Sequence, residues 1–541
     1  MVSWKVLVPL RRSLTMSSKK FDPLVLPNVP STSRILVAEA WDATPHIETG
    51  LEIALRLAPN YSEVGYVHYG SILPACEFSA ESRTGWFRNL VGFNNTPAEK
   101  GIKVAKGFAS SCGLNVRFID PSSFKLPEDY VLEPEVLGSL SSLKCASFYG
   151  SDLLGISLVS SLVSLTGNSL VNPSDHKALV ENLAIGFARC FSFISNLLDN
   201  GGYDAIIVFN GRFASVKGAV LAASSLSKPI YFHERGCSQD KFSLKDYQPH
   251  DRIKFQADIR KHWDQSKCNP SSLRAADEFF LSQRAGTPQG WISYNDCMTP
   301  GASASSISQA KAKASSKAGR VICFFTSSED EYVSTEGVFE SSGFEWKSQD
   351  EACRALAKAA DKYGHSLVIR NHPHLRYKAS ADRAKWDNLE FIDDQHNLTL
   401  IRSDSVVDSY ELINACDLVV VYGSTVGIEA VYWKKPVIVM SDTLYDEIGA
   451  SIYKPLAIDE LDALIGNMDS LLVEQDSALP YGYYISTFGI NFQLYSPSTL
   501  FQGKFLDIDL KRKPAIRRLA SRIKKALQAF GGTSKSNSPI S

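Results

Sequence analysis

Neither sign of charge is in excess in this chain: Lys+Arg total 57 and Asp+Glu 58, for a net charge of −1. A dedicated nucleic-acid binder would carry a basic excess or face, so no nucleic-acid partner is expected. The ten cysteines (Cys76, Cys112, Cys145, Cys190, Cys237, Cys268, Cys297, Cys323, Cys353 and Cys416) form no CxxC pair and no tight cluster with histidine. That scatter excludes a disulfide framework, leaves no structural zinc site and reads as reduced thiols in a cytoplasmic protein. No apolar run reaches the length of about 18 residues that a membrane-crossing helix needs. The longest, 153–165, is short and rich in serine and reads as a buried helix. The apolar stretch 6–10, between Lys5 and Arg11-Arg12, is too short for a secretory signal, so none is expected.

What is present is an ordinary globular composition, 44% hydrophobic and 21% charged, over 541 residues. That length suggests two or three domains. Residues 1–30 read as a loose extension rich in Ser, Pro and Lys. Apolar runs at 34–38, 64–69, 116–119, 203–210 and 229–233 read as buried strands, with helical patterns at 47–57, 151–198 and 215–225 between them. Residues 301–319 (GASASSISQAKAKASSKAG) read as a linker or solvated helix between domains. The alternation then restarts: strands at 321–325, 366–370, 389–392, 418–421 and 436–440, helices at 351–362, 407–415, 426–433 and 458–472. Strands alternating with helices predict parallel sheets covered on both faces. The expected fold is therefore α/β with two Rossmann-like, doubly wound halves, 31–300 and 320–500, followed by a basic tail, 501–541.

Two motifs carry chemistry. The first is Tyr422-Gly423-Ser424-Thr425-Val426-Gly427-Ile428-Glu429-Ala430, at a strand-to-helix turn. Helix amides without internal partners, together with the helix dipole, favour an anion there. Gly423 lets the backbone approach a phosphate, Ser424 and Thr425 add hydroxyl donors, and Glu429 lies one turn on, placed to accept from ribose hydroxyls. The competing reading is a turn with a helix cap and nothing more. The second motif is Ile369-Arg370-Asn371-His372-Pro373-His374, at another strand's carboxyl end, where open α/β sheets bind ligands. Pro373 turns the chain outward, and Arg370 and His372 are placed to contact phosphate.

The two motifs, some fifty residues apart, resemble the donor half of bacterial GT-B glycosyltransferases, and more narrowly the capsule polysaccharide biosynthesis group. The segments 323–332 and 481–490 are similar to that group as well. The resemblance covers roughly 320–500; in the first half it is architectural. It implies a nucleotide-sugar donor, CMP-linked or other, with His372 on the donor phosphate, Ser424 and Thr425 holding phosphate at the helix tip, and Glu429 on the ribose. It also implies a glycan or lipid-linked glycan acceptor in surface-polysaccharide assembly.

No family motif supplies a catalytic base. Loops at the strand ends of the first half offer Glu39, Asp42 and His46; Asn210, Gly211 and Arg212; and His233, Glu234 and Arg235. An inverting transferase needs one carboxylate or histidine to deprotonate the acceptor, and a double-displacement enzyme needs a carboxylate nucleophile. Glu234, His233 and Asp42 are the catalytic candidates, and Glu39, Asn210 and Arg212 the acceptor-side ones. A buried polar network around 233–235 is the alternative. No metal and no cofactor are expected, since the sequence has no convincing DxD pair: Asp393-Asp394 and Asp507-Ile508-Asp509 are poor candidates. Rival readings are a nucleotide-sugar 2-epimerase, a CDP-polyol phosphotransferase and a non-catalytic glycan- or nucleotide-binding module.

The tail carries eight basic residues between 511 and 525 and no acidic one. Ile516, Leu519, Ile523, Leu527 and Phe530 recur at helical spacing. A basic amphipathic pattern suits an anionic membrane surface, giving the expectation of a cytoplasmic enzyme peripheral on the inner face of the plasma membrane. The alternative is a stripe that packs on the protein itself.

Overall fold

The computed structural model describes residues 20–77, 96–287, 301–314, 319–329, 333, 343–378, 380–389, 391–392 and 397–510. Its strands are β1 (Arg34–Glu39), β2 (Glu63–His68), β3 (Val116–Ile119), β4 (Ala205–Phe209), β5 (Ile230–Arg235), β6 (Lys241–Lys245), β7 (Val321–Phe325), β8 (Ser366–Arg370), β9 (Leu398–Ile401), β10 (Leu418–Val421), β11 (Val437–Val439), β12 (Ile490–Asn491), β13 (Tyr495–Thr499) and β14 (Gln502–Phe505). They form a seven-stranded sheet in the order β12-β6-β5-β4-β1-β2-β3, a five-stranded sheet in the order β11-β10-β7-β8-β9, and the β13–β14 hairpin.

The runs that read as continuously apolar are the central strands. β4, β7, β8 and β10 are buried at every position, because helices cover both faces of a parallel sheet. From β5 through β3 the first sheet is parallel, and so is the whole second sheet. The expected pair of α/β halves is therefore present.

Two expectations fail locally. Leu389 and Ile392 do not join a strand: Leu389 sits at φ 49°, and both are buried in a core cluster with Trp386 rather than in a ladder. The edge strand is β9 instead. Of the stretch expected as a linker or solvated helix, residues 301–314 are described: they hold helix Ala304–Lys313, which is largely exposed and packs on β8 and β9 with Ala310 buried, and the Lys313 ammonium donates to the Leu398 carbonyl. The helix expected over 458–472 stops at Gly466 and continues as a single 3₁₀ turn, Met468–Ser470.

The boundaries at 300 and 500 are also replaced by a double crossing. After β6 the chain leaves the first half. Helices Arg252–Ser266 and Pro270–Arg284 bury Ile259, Ala276, Phe279 and Phe280 in the core that contains Val321, Val421 and Tyr481. Helix Leu479–Thr487 packs on both of them, and the chain then returns, adding β12 to the edge of β6. Glu52, fully buried, fastens that return: its Oε1 accepts from Gln493 N at 2.6 Å, and its Oε2 from Leu494 N at 3.1 Å and Tyr495 N at 2.9 Å. Arg56 Nη1 joins Glu52 (3.0 Å) to the Asn491 carbonyl (2.9 Å). Periodicity identifies an element but not which of two cores receives it, so both boundaries were misplaced.

Candidate active site

The carboxyl ends of β1, β4 and β5 face those of β7, β8 and β10 across a cleft of about 950 Å³. Aromatic side chains from the crossing helices, Phe255, Phe279, Tyr481 and Tyr484, line it together with the polar ends of the strands.

On the first wall, Asn210 and Gly211 follow β4 with φ of 51° and 85°. A side chain at 211 would meet the Phe232 ring at 2.5 Å, so only glycine fits. Asparagine tolerates the left-handed region better than most residues, and strain of this kind concentrates at functional sites. The Asn210 Nδ2 donates to Glu234 Oε2 at 2.7 Å and lies 3.3 Å from His250 Nε2. The other Glu234 oxygen accepts from Arg235 N at 3.0 Å. Burial, with Arg212 and Lys217 nearby, pushes His250 down to about 3. The ring is thus neutral near pH 7, which fits Nε2 as acceptor of the Asn210 N–H. Arg212 lies over the Phe213 ring at 4.2 Å and Arg235 over Phe501 at 5.0 Å.

Strand alternation sends His233 away from Glu234. His233 and Glu39 are buried, at 1% and 0% exposure, and pair through Nε2 and Oε1 at 2.5 Å. Neither lines the cleft. Helix His46–Leu57 closes over them: a side chain at Gly50 would meet Glu39 Oε1 at 2.3 Å. Glu39 and His233 thus form a buried pair behind the cleft wall, where His233 borders a smaller pocket that also touches His46, Glu234 and Arg235. Asp42 is engaged elsewhere. Its Oδ1 accepts from Ala98 N at 2.8 Å, at the start of helix Pro97–Cys112, and it does not line the cleft. His46 does line it, with its ring against Phe209 at 4.2 Å; burial lowers its pKa well below the ordinary value.

On the second wall, Thr326 Oγ1 after β7 accepts from His372 N at 2.9 Å. His372 Nδ1 accepts from His374 N at 3.2 Å. That leaves the proton of the neutral ring on Nε2, a donor. Arg370 is 2% exposed. Its Nη1 and Nη2 go to the carbonyls of Arg402 (2.6 Å) and Ser405 (3.3 Å), and burial lowers its pKa to about 10. It braces the neighbouring loop and lends the wall positive charge. Gly423, at φ 70°, makes the turn after β10 without lining the cleft. Ser424, Thr425 and Glu429 line it. Tyr445 reaches under this turn to donate to the Ser424 carbonyl at 2.6 Å, and Gly427 leaves the space for that ring. Burial pushes the Glu429 carboxyl up to about 7, although it accepts from the Tyr410 hydroxyl.

Sequence reasoning missed His250, Thr326, Tyr410 and the aromatic floor. His250 and Tyr410 lie at no recognisable motif, and only folding brings them to the strand ends. Among the described residues no group of three or more His, Cys, Asp or Glu side chains is placed to hold a metal ion.

Residues 302–467, which include the whole second sheet and helix Ala304–Lys313, match the family model described as capsule polysaccharide biosynthesis protein. No curated protein matches the chain. Similar solved structures include the Thermosulfurimonas dismutans KpsC β-Kdo 2,7-transferase, at 14% identity over 51% of this chain and 79% of that one, with a TM-score of 0.29. The β-Kdo 2,4-transferase of the same protein is 11% identical over 52% and 88%, with a TM-score of 0.31. The UDP-GlcNAc 2-epimerase from Neisseria meningitidis is 13% identical over 84% and 97%, with a TM-score of 0.24.

Proposed function

We propose that this chain transfers a glycosyl group from a nucleotide-activated donor, held by the second wall, to a hydroxyl of a glycan acceptor, held by the first. The observation that carries the reading is the division of labour across one cleft. Among its described lining residues there are two carboxylates, Glu234 on the first wall and Glu429 on the second. His372, Ser424 and Thr425 gather opposite Glu234. The capsule polysaccharide match, confined to the half that carries the proposed donor wall, supports the same reading.

In the proposed reaction Glu234 is the general base. Asn210 and the Arg235 amide hold it, with its free lone pairs available to the acceptor hydroxyl. As the acceptor oxygen bonds to the anomeric carbon, its proton passes to Glu234 and the bond from that carbon to the donor phosphate oxygen breaks. The charge arriving on the phosphate meets His372 Nε2–H, the hydroxyls of Ser424 and Thr425 and the nearby positive charge of Arg370. Glu429 accepts from the donor's ribose. With Glu234 as base, the proposed step is a single displacement.

A thermal-shift panel of CMP, CDP, UDP and GDP tests the donor wall. One nucleotide should raise the melting temperature of the wild type and fail to do so for His372→Ala. No shift with any of the four at millimolar concentration, or an undiminished shift in the variant, would overturn the assignment.

A further inference from the structure

Glu429 stands one turn into helix Val426–Tyr432 and lines the cleft beside Ser424 and Thr425. Two hydroxyls hold its carboxylate. The Tyr410 hydroxyl donates to Oε2, and the Thr425 side chain bonds it from the turn before. Among the described residues no cation pairs with it. A carboxylate offers about four lone-pair sites, so acceptor positions remain for the hydroxyls of a ligand. Tyr410 is itself clamped. It lies at the start of helix Ser409–Ala415, where its N–H donates to Asp408 Oδ1 at 2.7 Å. Asp408 is anchored in turn by Ser303 Oγ, which accepts from its N–H at 3.2 Å and donates to its carbonyl at 3.3 Å. The Tyr410 ring meets Trp433 nearly at right angles, at 6.5 Å, and Arg284 covers that indole at 4.5 Å. At 6% exposure, the Tyr410 hydroxyl has little freedom to leave the carboxylate.

We propose that Tyr410 is a positioning residue for the donor: its hydroxyl fixes the Glu429 carboxylate as acceptor of the ribose hydroxyls, so that the hold on ribose depends on Tyr410 acting through Glu429. The inference rests on the assignment of the second wall to the donor. It carries a pH dependence. Burial pushes Glu429 up to about 7, while the Tyr410 and Thr425 hydroxyls act the other way and favour the ionised form. Tyr481, from helix Leu479–Thr487, also faces Glu429; burial and that carboxylate both push its phenol up. Burial and Glu429 push the Tyr410 phenol up too, with Asp408 and Arg284 as the other charged groups near it. Both phenols therefore stay protonated. A protonated Glu429 gives up an acceptor site and the charge that strengthens the bonds it accepts, so the hold on ribose weakens as pH falls through its pKa. Without the Tyr410 hydroxyl the carboxyl ionises only at a higher pH.

The test is calorimetric titration of the full-length wild type, Tyr410→Phe, Glu429→Gln and the double variant with CMP, CDP, UDP and GDP and with their 2′,3′-dideoxy forms, between about pH 5.5 and 9. Wild type should bind one of the four ribonucleotides at least about 10-fold more tightly than its dideoxy form. Tyr410→Phe leaves the ring in place. It should weaken the ribonucleotide about 5- to 10-fold at pH 7, leave the dideoxy form nearly unchanged, and move the midpoint of affinity against pH upward. In the Glu429→Gln background the same substitution should add nothing. Equal losses for both forms of the nucleotide, an unmoved midpoint, or the full loss repeated in the Glu429→Gln background would overturn the proposal, since Tyr410 would then act on the fold or on the nucleotide itself. If Tyr410→Phe binds the ribonucleotide as wild type does, Tyr410 alone is removed and the donor wall stands. If the wild type binds none of the four, the donor wall fails and takes this inference with it.

Discussion

The two walls of the cleft are built from the same kind of sheet edge, yet they meet the cavity differently. On the first, side chains bond mainly to one another: Asn210 links Glu234 to His250, and one layer deeper Glu39 holds His233. On the second, side chains are tied mainly to backbone. Arg370 is bound to two carbonyls, His372 to the amide of His374, and Ser424 to the amide of Val426 at 3.3 Å. The first arrangement orients a proton acceptor, where small errors of direction matter; the second fixes a shaped cradle. Removing a cleft-lining side chain from the first wall should therefore damage the chemical step, and from the second, donor binding.

The sharpest way to break this contrast is Glu234→Gln, an isosteric loss of the base. Turnover of the donor should fall about 100- to 10,000-fold while the nucleotide-induced thermal shift persists. Turnover at the wild-type rate would remove Glu234 from the mechanism. Glu39→Ala asks whether the deeper pair is a brace: stability to denaturant should drop by about 3–5 kcal/mol, the usual result of removing one member of a buried pair. Turnover per folded molecule should stay near wild type, and a loss to match Glu234→Gln would return Glu39 and His233 to the chemistry. On the second wall, Ser424→Ala combined with Thr425→Ala should weaken nucleotide binding by about 1–3 kcal/mol, read by calorimetry, with a smaller effect on turnover at saturating donor.

An effect of comparable size is one of pH. His250 has a folded pKa of about 3, below the ordinary 6.5, so the folded state prefers the neutral ring. Its contribution is fully present above about pH 6.5 and is lost as pH falls towards 3, amounting to roughly 2 kcal/mol by pH 5. Denaturant midpoints at pH 7 and 5 should therefore draw together in His250→Asn relative to wild type. An unchanged separation would mean that the ring is protonated and solvated in the folded protein.

The second half was far more legible in sequence than the first. Its strands are short, largely apolar and punctuated by polar turns, and the residues proposed for the donor side, Arg370, His372, Ser424, Thr425 and Glu429, lie in or beside the turns after β8 and β10. On the first wall the sequence offers Glu234 and Asn210, which line the cleft, in company with Glu39, His233 and Asp42, which folding turns inward or onto a helix end. Proximity to a strand's end does not reveal which way a side chain points. His233 and Glu234 are neighbours in sequence and opposites in space. His250 could not be read at all, because it belongs to the stretch that crosses between the halves, and the crossing is a property of two cores competing for helices. Residues 389–392 misled for a related reason: an apolar run can be buried without joining a ladder.

The return of the chain into the first sheet bears on how the protein is made. Strand β6 ends at Lys245, but its outer neighbour is β12, and the three amides that satisfy Glu52 belong to residues 493–495. A ribosome adding about 5–20 residues per second needs roughly 12–50 seconds to travel between those points. Throughout that interval β6 lacks its outer neighbour, and Glu52 has Arg56 as its partner but none of its three amides. The first half is synthesised before the second, yet it is completed after it.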